Sequence, residues 1–165
     1  MTGPESTGKT TLAARLAEWA QADLVPEASR RYAERVQREL LASDVTPIAR
    51  KHLALADATR GNLVVLDTDL LSTVIYARHY YGSAPDWVVR AERARRADLY
   101  LLCDVDVPWI PDGVRDRPQS RDAMFALFRD ALVRRRVAAV LIRGDWQRRW
   151  DIARDAVAPL LSGAR

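Results

Sequence analysis

The chain opens MTGPESTGKTT, and the stretch Gly3-Pro4-Glu5-Ser6-Thr7-Gly8-Lys9-Thr10 within it decides how the rest is read. It fits G-x-x-x-x-G-K-[ST], the pattern of a phosphate-binding loop. Glycines let successive backbone N–H groups converge on phosphate oxygens without a Cβ in the way. The helix that follows turns its positive end to the same anion. Lysine at position 9 reaches the outer phosphates, and the Thr10 hydroxyl suits Mg²⁺. Gly3, Pro4, Glu5, Ser6, Thr7, Gly8, Lys9, Thr10 and Thr11 are therefore the candidate nucleotide-binding residues, with ATP and Mg²⁺ as the implied ligands. Lys9 is also a catalytic candidate.

Lysine usage sharpens the motif. The chain has 26 Lys plus Arg residues, and only Lys9 and Lys51 are lysines. Arginine serves almost everywhere else, so a lysine in this loop answers a need for a flexible point charge. One element is missing. A phosphate loop joins a strand to a helix, and Met1 and Thr2 are too few for a buried strand. The expectation is that the first strand is truncated, that Met1 is a misassigned or trimmed start, and that beside the loop lies an empty slot or another segment filling it.

Working outward, 165 residues suit one domain with a sizeable core. No apolar run is long enough to span a bilayer, and the start lacks the apolar core of a signal peptide. The single cysteine, Cys103, excludes an intrachain disulfide and agrees with a cytoplasmic setting. The net charge is +4, but the arginines are interspersed with Asp and Glu along helical segments. That distribution argues for solvated faces and against a nucleic-acid partner.

Helical segments alternate with short apolar strands near residues 23, 64, 101 and 140. The pattern is that of an α/β protein, a three-layer sandwich around a parallel sheet, spanning residues 1–165 as one unit. Thr46 and Pro47 suit a helix start, with Gly61 at its end. Asp145 suits the cap of a last helix that buries Trp146, Trp150, Ala153 and Val157.

Three further stretches carry chemistry. In LVVLDTD an apolar strand ends at Asp67, which places a carboxylate near the Mg²⁺ shell. Asp69 shares that strand end, where it can face substrate or cap the next helix. In VPEASRR, Glu27 can take a proton from a substrate hydroxyl and Arg30 can hold phosphate, unless the two simply begin a helix. In WIPDGVRDRPQSR, Arg115, Arg117 and Arg121 lie on a loop rich in proline and glycine. Such a loop, over about 109–121, suits a lid that excludes water and adds positive charge. Trp109 before it can stack on a planar ring. The guanine signature Asn-Lys-x-Asp is absent, which turns the reading from a GTPase switch to a small-molecule kinase.

The motifs GPESTGKTTLA, VPEASRRY, VLDTDLLSTVIYARHYYG and DLYLLCDVDVPWIPDGVRD together resemble the ribosylnicotinamide kinase domain of NadR-type P-loop kinases, an AAA-type ATPase-like NTPase domain. The resemblance runs from Gly3 through the last helix. It implies a nucleoside/nucleotide-kinase-like P-loop fold and transfer of the ATP γ-phosphate to the 5′-hydroxyl of nicotinamide riboside. It implies Thr10 and Asp67 at Mg²⁺, and Asp69 or Glu27 orienting or deprotonating the ribose hydroxyl. Trp109 and Tyr80 would contact the nicotinamide ring, Asp112 would sit near the riboside, and Arg115, Arg117 and Arg121 would form the lid. A kinase for another nucleoside and a non-catalytic nucleotide binder remain as alternatives.

Overall fold

The computed structural model describes residues 1–109 and 121–162. Its helices are α1 (Lys9–Ala20), α2 (Ala28–Val36), α3 (Val45–Asp57), α4 (Leu70–Tyr81), α5 (Asp86–Ala94), α6 (Arg121–Arg135) and α7 (Trp146–Ser162). The strands are β1 (Asp23–Val25), β2 (Val64–Leu66), β3 (Tyr100–Cys103) and β4 (Ala139–Ile142). All four expected strands are present. They pair in parallel as β1 with β2, Leu24 opposite Val65, and β3 with β4, Leu101 opposite Val140.

Met1 and Thr2 bridge these two pairs. The Met1 ammonium donates to the Leu66 carbonyl at 2.7 Å. The Thr2 N–H donates to Leu101, and the Thr2 carbonyl accepts from Cys103, both at 2.9 Å. Two residues thus hold the central position of the sheet, directly before the loop. Beside Met1, a cavity of about 400 Å³ lies between β2 and β3, lined by Leu63, Val65, Leu99, Leu101, Leu16 and Val157 among others.

Side-chain alternation on β3 builds the layers. Leu101 and Cys103 face α1 and α7, packing with Leu12, Leu16, Ile142, Trp150, Ala153 and Val157. Tyr100 and Leu102 face the other way, onto Leu71, Ile75, Met124, Phe128 and Leu132 of α4 and α6. Burial on both faces explains why DLYLLC reads as a continuous apolar run. A third cluster joins α3, α4 and α5 through Val45, Ala49, Leu70, Val74 and Val88.

Several local expectations shift. Helix α3 starts at Val45 with Asp44 before it, so Thr46 and Pro47 lie inside the first turn, and the helix ends at Asp57, short of Gly61. Helix α2 stops at Val36, leaving Leu40 in the following loop. The expected cap of α7 is present: Asp145 Oδ1 accepts from the Arg148 N–H at 2.8 Å. Trp150, Ala153 and Val157 of α7 are buried, but Trp146 is 53% exposed and Arg149 is wholly buried. The apolar reading of that helix missed this rotation of its first turn, because a buried arginine carries no signal in a hydrophobic pattern.

Candidate functional site

The loop from Gly3 to Gly8 is shaped by positive backbone angles, φ 127° at Gly3, 52° at Ser6 and 74° at Gly8. Gly3 is obligatory on two counts. Its φ is unfavourable for an L side chain, and a Cβ there would lie 2.8 Å from the Cys103 carbonyl oxygen. At Gly8 a methyl group would overlap the ring of Trp146. Inside the loop the Thr7 hydroxyl donates to the Pro4 carbonyl at 2.9 Å, and Lys9 Nζ crosses the loop to the same oxygen. Lys9 is nearly buried, while Thr10 and Thr11 at the start of α1 are exposed.

Two arginines hold this loop from outside. Arg149, wholly buried, donates from Nη1 to the Thr7 carbonyl at 3.1 Å and from Nη2 to the Asp104 carbonyl at 3.0 Å. Its Nε donates to the Gly144 carbonyl at 2.9 Å, and it pairs with the Asp106 carboxylate. One guanidinium therefore ties the phosphate loop to the ends of β3 and β4. Sequence reading had no means of finding it, because its partners are mainly carbonyls brought together by the fold. Arg121 donates to the Ser6 carbonyl at 3.2 Å and the Val107 carbonyl at 3.1 Å. Among the described residues its buried Nε has no partner, and burial lowers the pKa of the group. An orphaned cationic donor against the loop is arranged to meet an anion. Trp109 lies over Arg121, 5.6 Å from ring centroid to Cζ.

The carboxylate side of the loop is formed by the turn after β2. Asp67 is buried and hydrogen-bonded to the Thr10 side chain. Burial raises its pKa, the Thr10 bond opposes this, and the nearby Glu27 charge adds to the rise. Asp67 Oδ1 has no hydrogen-bond partner among the described residues. A hydroxyl and an unsatisfied buried carboxylate oxygen side by side fit a hard divalent cation bound otherwise by phosphate and water. Among the described residues no group of three His, Cys, Asp or Glu forms a protein metal cage. Thr68, between the two aspartates, has φ 72°, an outlier for a β-branched residue and a mark of local strain.

Asp69 is placed elsewhere. Its Oδ1 accepts from the Ser72 N–H at 3.3 Å, capping α4, and its Oδ2 accepts from the Tyr100 hydroxyl at 3.0 Å. It is buried, its pKa is raised by that burial, and it borders the slot between β2 and β3. Of the two candidate carboxylates, the structure brings Glu27 and not Asp69 to the cleft described next.

That cleft, about 940 Å³, opens between α2 and α4. Glu27, Thr68, Thr73, Tyr76, Tyr80 and Tyr81 contribute to its walls. Glu27 accepts from the Ser29 hydroxyl at 2.7 Å and pairs with Arg30 at 3.6 Å. Arg30 does not line the cleft, and neither does Trp109. The rings of Tyr76 and Tyr80 stack with centroids 5.9 Å apart. Asp112, Arg115, Arg117 and most of the expected lid lie outside the described residues.

A clasp missed by sequence reading shapes the rim. Asp44, buried, accepts from Arg38 through two nitrogens at 2.7 and 3.0 Å, from the Tyr32 hydroxyl at 2.9 Å and from the Leu41 N–H at 2.8 Å. The Arg38 guanidinium holds the Asp44 carboxyl far below the usual range. The Tyr81 hydroxyl donates to the Leu40 carbonyl at 2.7 Å. These bonds pin residues 37–41 along the cleft.

A glycine-shaped phosphate loop after the centre of a parallel sheet, with helices on both faces, defines a P-loop NTPase-like α/β domain. The model of the AAA domain family matches residues 1–149, and the chain belongs to that family. It is 29% identical over 127 residues to the trifunctional NAD biosynthesis/regulator protein NadR of Salmonella typhimurium strain LT2 and of Escherichia coli strain K12. Each match covers 73% of this chain and 31% of the relative, so the chain spans about a third of the length of these proteins. Among solved structures, a NadR protein in complex with NR superposes with a TM-score of 0.75 at 24% identity. That match covers 96% of this chain and 49% of the other. A NadR protein in complex with NAD and AMP-PNP gives 0.71 at the same identity, over 96% and 47%. These superpositions confirm the fold. No helix among the described residues is long and apolar enough to cross a membrane.

Proposed function

We propose that this domain is an ATP-dependent kinase that phosphorylates the 5′-hydroxyl of nicotinamide riboside to give nicotinamide mononucleotide. The observation that carries the reading is the meeting of two carboxylates beside the loop. Glu27 stands on the cleft wall close enough to raise the pKa of Asp67, which is bonded to Thr10. An acceptor hydroxyl beside Glu27 would then lie next to the phosphate end of the nucleotide. The likeness to NadR, one structure of which holds NR, supports the choice of acceptor.

In this mechanism the backbone of residues 3–11 and Lys9 hold the triphosphate, and Thr10 with Asp67 holds Mg²⁺. The cation, when bound, neutralises charge on the phosphate oxygens. Glu27 orients the acceptor hydroxyl and receives its proton. Arg121, with Arg115 and Arg117 of the lid, supports the charge on the transferring group. Positioning and charge dominate phosphoryl transfer, so a weak base suffices. Tyr80, with Tyr76 behind it, offers a planar wall to the nicotinamide ring. The cytoplasm is the setting where ATP and Mg²⁺ are at hand.

A panel of acceptors tests this. ADP release should rise manyfold with nicotinamide riboside and little with adenosine, cytidine, uridine or thymidine. A different best acceptor would assign the same chemistry to another nucleoside. Equal slow hydrolysis with every acceptor would leave a nucleotide binder and sink the kinase reading.

A further inference from the structure

Trp146 stands at an unusual place for an exposed aromatic. It opens α7 directly after the capping Asp145, and the far edge of its indole closes on Gly8 so tightly that a methyl group there would overlap Cη2 and Cζ3. The other tryptophan of this helix, Trp150, is buried and edge-on to Trp19, with Arg15 over its ring. Among the described residues Trp146 makes no such contact with another aromatic ring, and it keeps 53% of its surface exposed. Arg149, fixed to the loop and both strand ends, lies 5.9 Å from its ring centroid. The indole therefore packs against the Gly8 backbone beside the Arg149 guanidinium, while much of it stays open to solvent.

Direction along the loop fixes what can reach it. Thr10 and Asp67 mark the end of the loop that takes Mg²⁺ and the outer phosphates. With Mg²⁺ and the outer phosphates at Thr10 and Asp67, the nucleoside end of the chain has room over the exposed start of α1, where Trp146 meets Gly8. A half-exposed planar aromatic at that exit offers a π-face to a base, and stacking of this kind is substantial even without hydrogen-bond readout.

We propose that Trp146 is the stacking platform for the purine base of the bound nucleoside triphosphate, and so a nucleotide-binding residue of this domain. The proposal rests on the phosphate-loop reading and is independent of the acceptor. In it, Gly8 serves twice, admitting phosphate on one side and the indole edge on the other. Because recognition is by area, a purine binds better than a pyrimidine on the same triphosphate.

Calorimetric titration with Mg²⁺ present tests it on wild type, Trp146→Leu and Trp146→Phe, using ATP, CTP and inorganic tripolyphosphate. Wild type should bind ATP more tightly than CTP, and CTP more tightly than tripolyphosphate. Trp146→Leu should weaken ATP about tenfold or more and tripolyphosphate less than twofold. Trp146→Phe should retain most of the ATP affinity. Equal weakening of ATP and tripolyphosphate would make Trp146 a mere prop of the loop and overturn the proposal. So would wild type that binds ATP no better than tripolyphosphate, a result that leaves the phosphate loop intact. Should Trp146→Leu not fold, fluorescence in a Trp109→Phe background decides, since Trp109 also lies near the loop on Arg121: ATP, but not tripolyphosphate, should change the emission, and the change should vanish when Trp146→Phe is added. Its persistence there would overturn the assignment.

Discussion

The two halves of the site are built from different materials. The nucleotide side is backbone: glycines at positive φ, N–H groups at the start of α1, and carbonyls held by Arg149 and Arg121. The side proposed for the acceptor is side chain: Glu27 on one wall, tyrosines on another, and a rim kept in place by the Asp44 clasp. Backbone geometry demands particular residues at fixed spacing, so the first half is written as a motif. Side-chain walls admit many solutions, so the second half is written only in the folded chain. Substitutions on the two sides should accordingly fail in different ways.

The sharpest contrast comes from Lys9→Ala. It should reduce kcat by about 10²–10³-fold, the scale of losing one preorganised charge on the transition state. Far-UV circular dichroism should be unchanged, because the Lys9 hydrogen bond, to the Pro4 carbonyl, lies within its own loop. A loss of KM alone would move Lys9 from catalysis to binding.

Arg149→Met should come next. Removing a wholly buried guanidinium strands the carbonyls of Thr7, Asp104 and Gly144, so stability should fall by about 3 kcal/mol in urea unfolding. ATP and tripolyphosphate should weaken together, the opposite of the split expected at Trp146. Unchanged stability would mean that the loop is held by other contacts.

His52 links the acceptor cleft to the slot between β2 and β3 and gives a pH test. Burial, with Arg95 nearby, lowers its pKa from 6.5 to about 4. Between those values the unfolded chain binds more protons than the folded one, so stability rises with pH. The contribution is complete above about pH 6.5 and is lost as pH falls to about 4, a loss of about 3 kcal/mol. His52→Gln should flatten this slope relative to wild type. Parallel pH profiles for the two proteins would show His52 to be solvated.

Arg38→Ala should have the smallest effect. Freed from Arg38, residues 37–41 should loosen, raising KM for the acceptor severalfold with the affinity for ATP unchanged. A matching rise in KM for ATP would erase the distinction between the two halves.

How much of this was legible in the sequence follows the same division. Strand positions emerged because β3 is buried on both faces and reads as an apolar run, and Asp67 emerged as the residue ending one. Gly3 and Gly8 were legible as motif, but the packing of the Trp146 indole against Gly8 was not. Trp146 itself was expected in the core because helical spacing assigns a face without fixing where a capped first turn points. Asp69 and Glu27 were equivalent on paper. Hydrogen bonds from Ser72 and Tyr100, residues 3 and 31 positions away, separate them in space. Arg149 had no local signature, since its loop and strand partners are gathered by tertiary structure, whereas the Asp44 clasp joins residues within twelve positions but follows no motif.

The central claim is that these two halves face one another across a transferred phosphoryl group. The most direct measurement is a single turnover with γ-labelled ATP, Mg²⁺ and nicotinamide riboside, followed by separation of products. The label should appear in nicotinamide mononucleotide, and Glu27→Gln should slow its appearance while leaving ATP binding intact. Label recovered only as inorganic phosphate, at one rate with or without the riboside, would contradict the account.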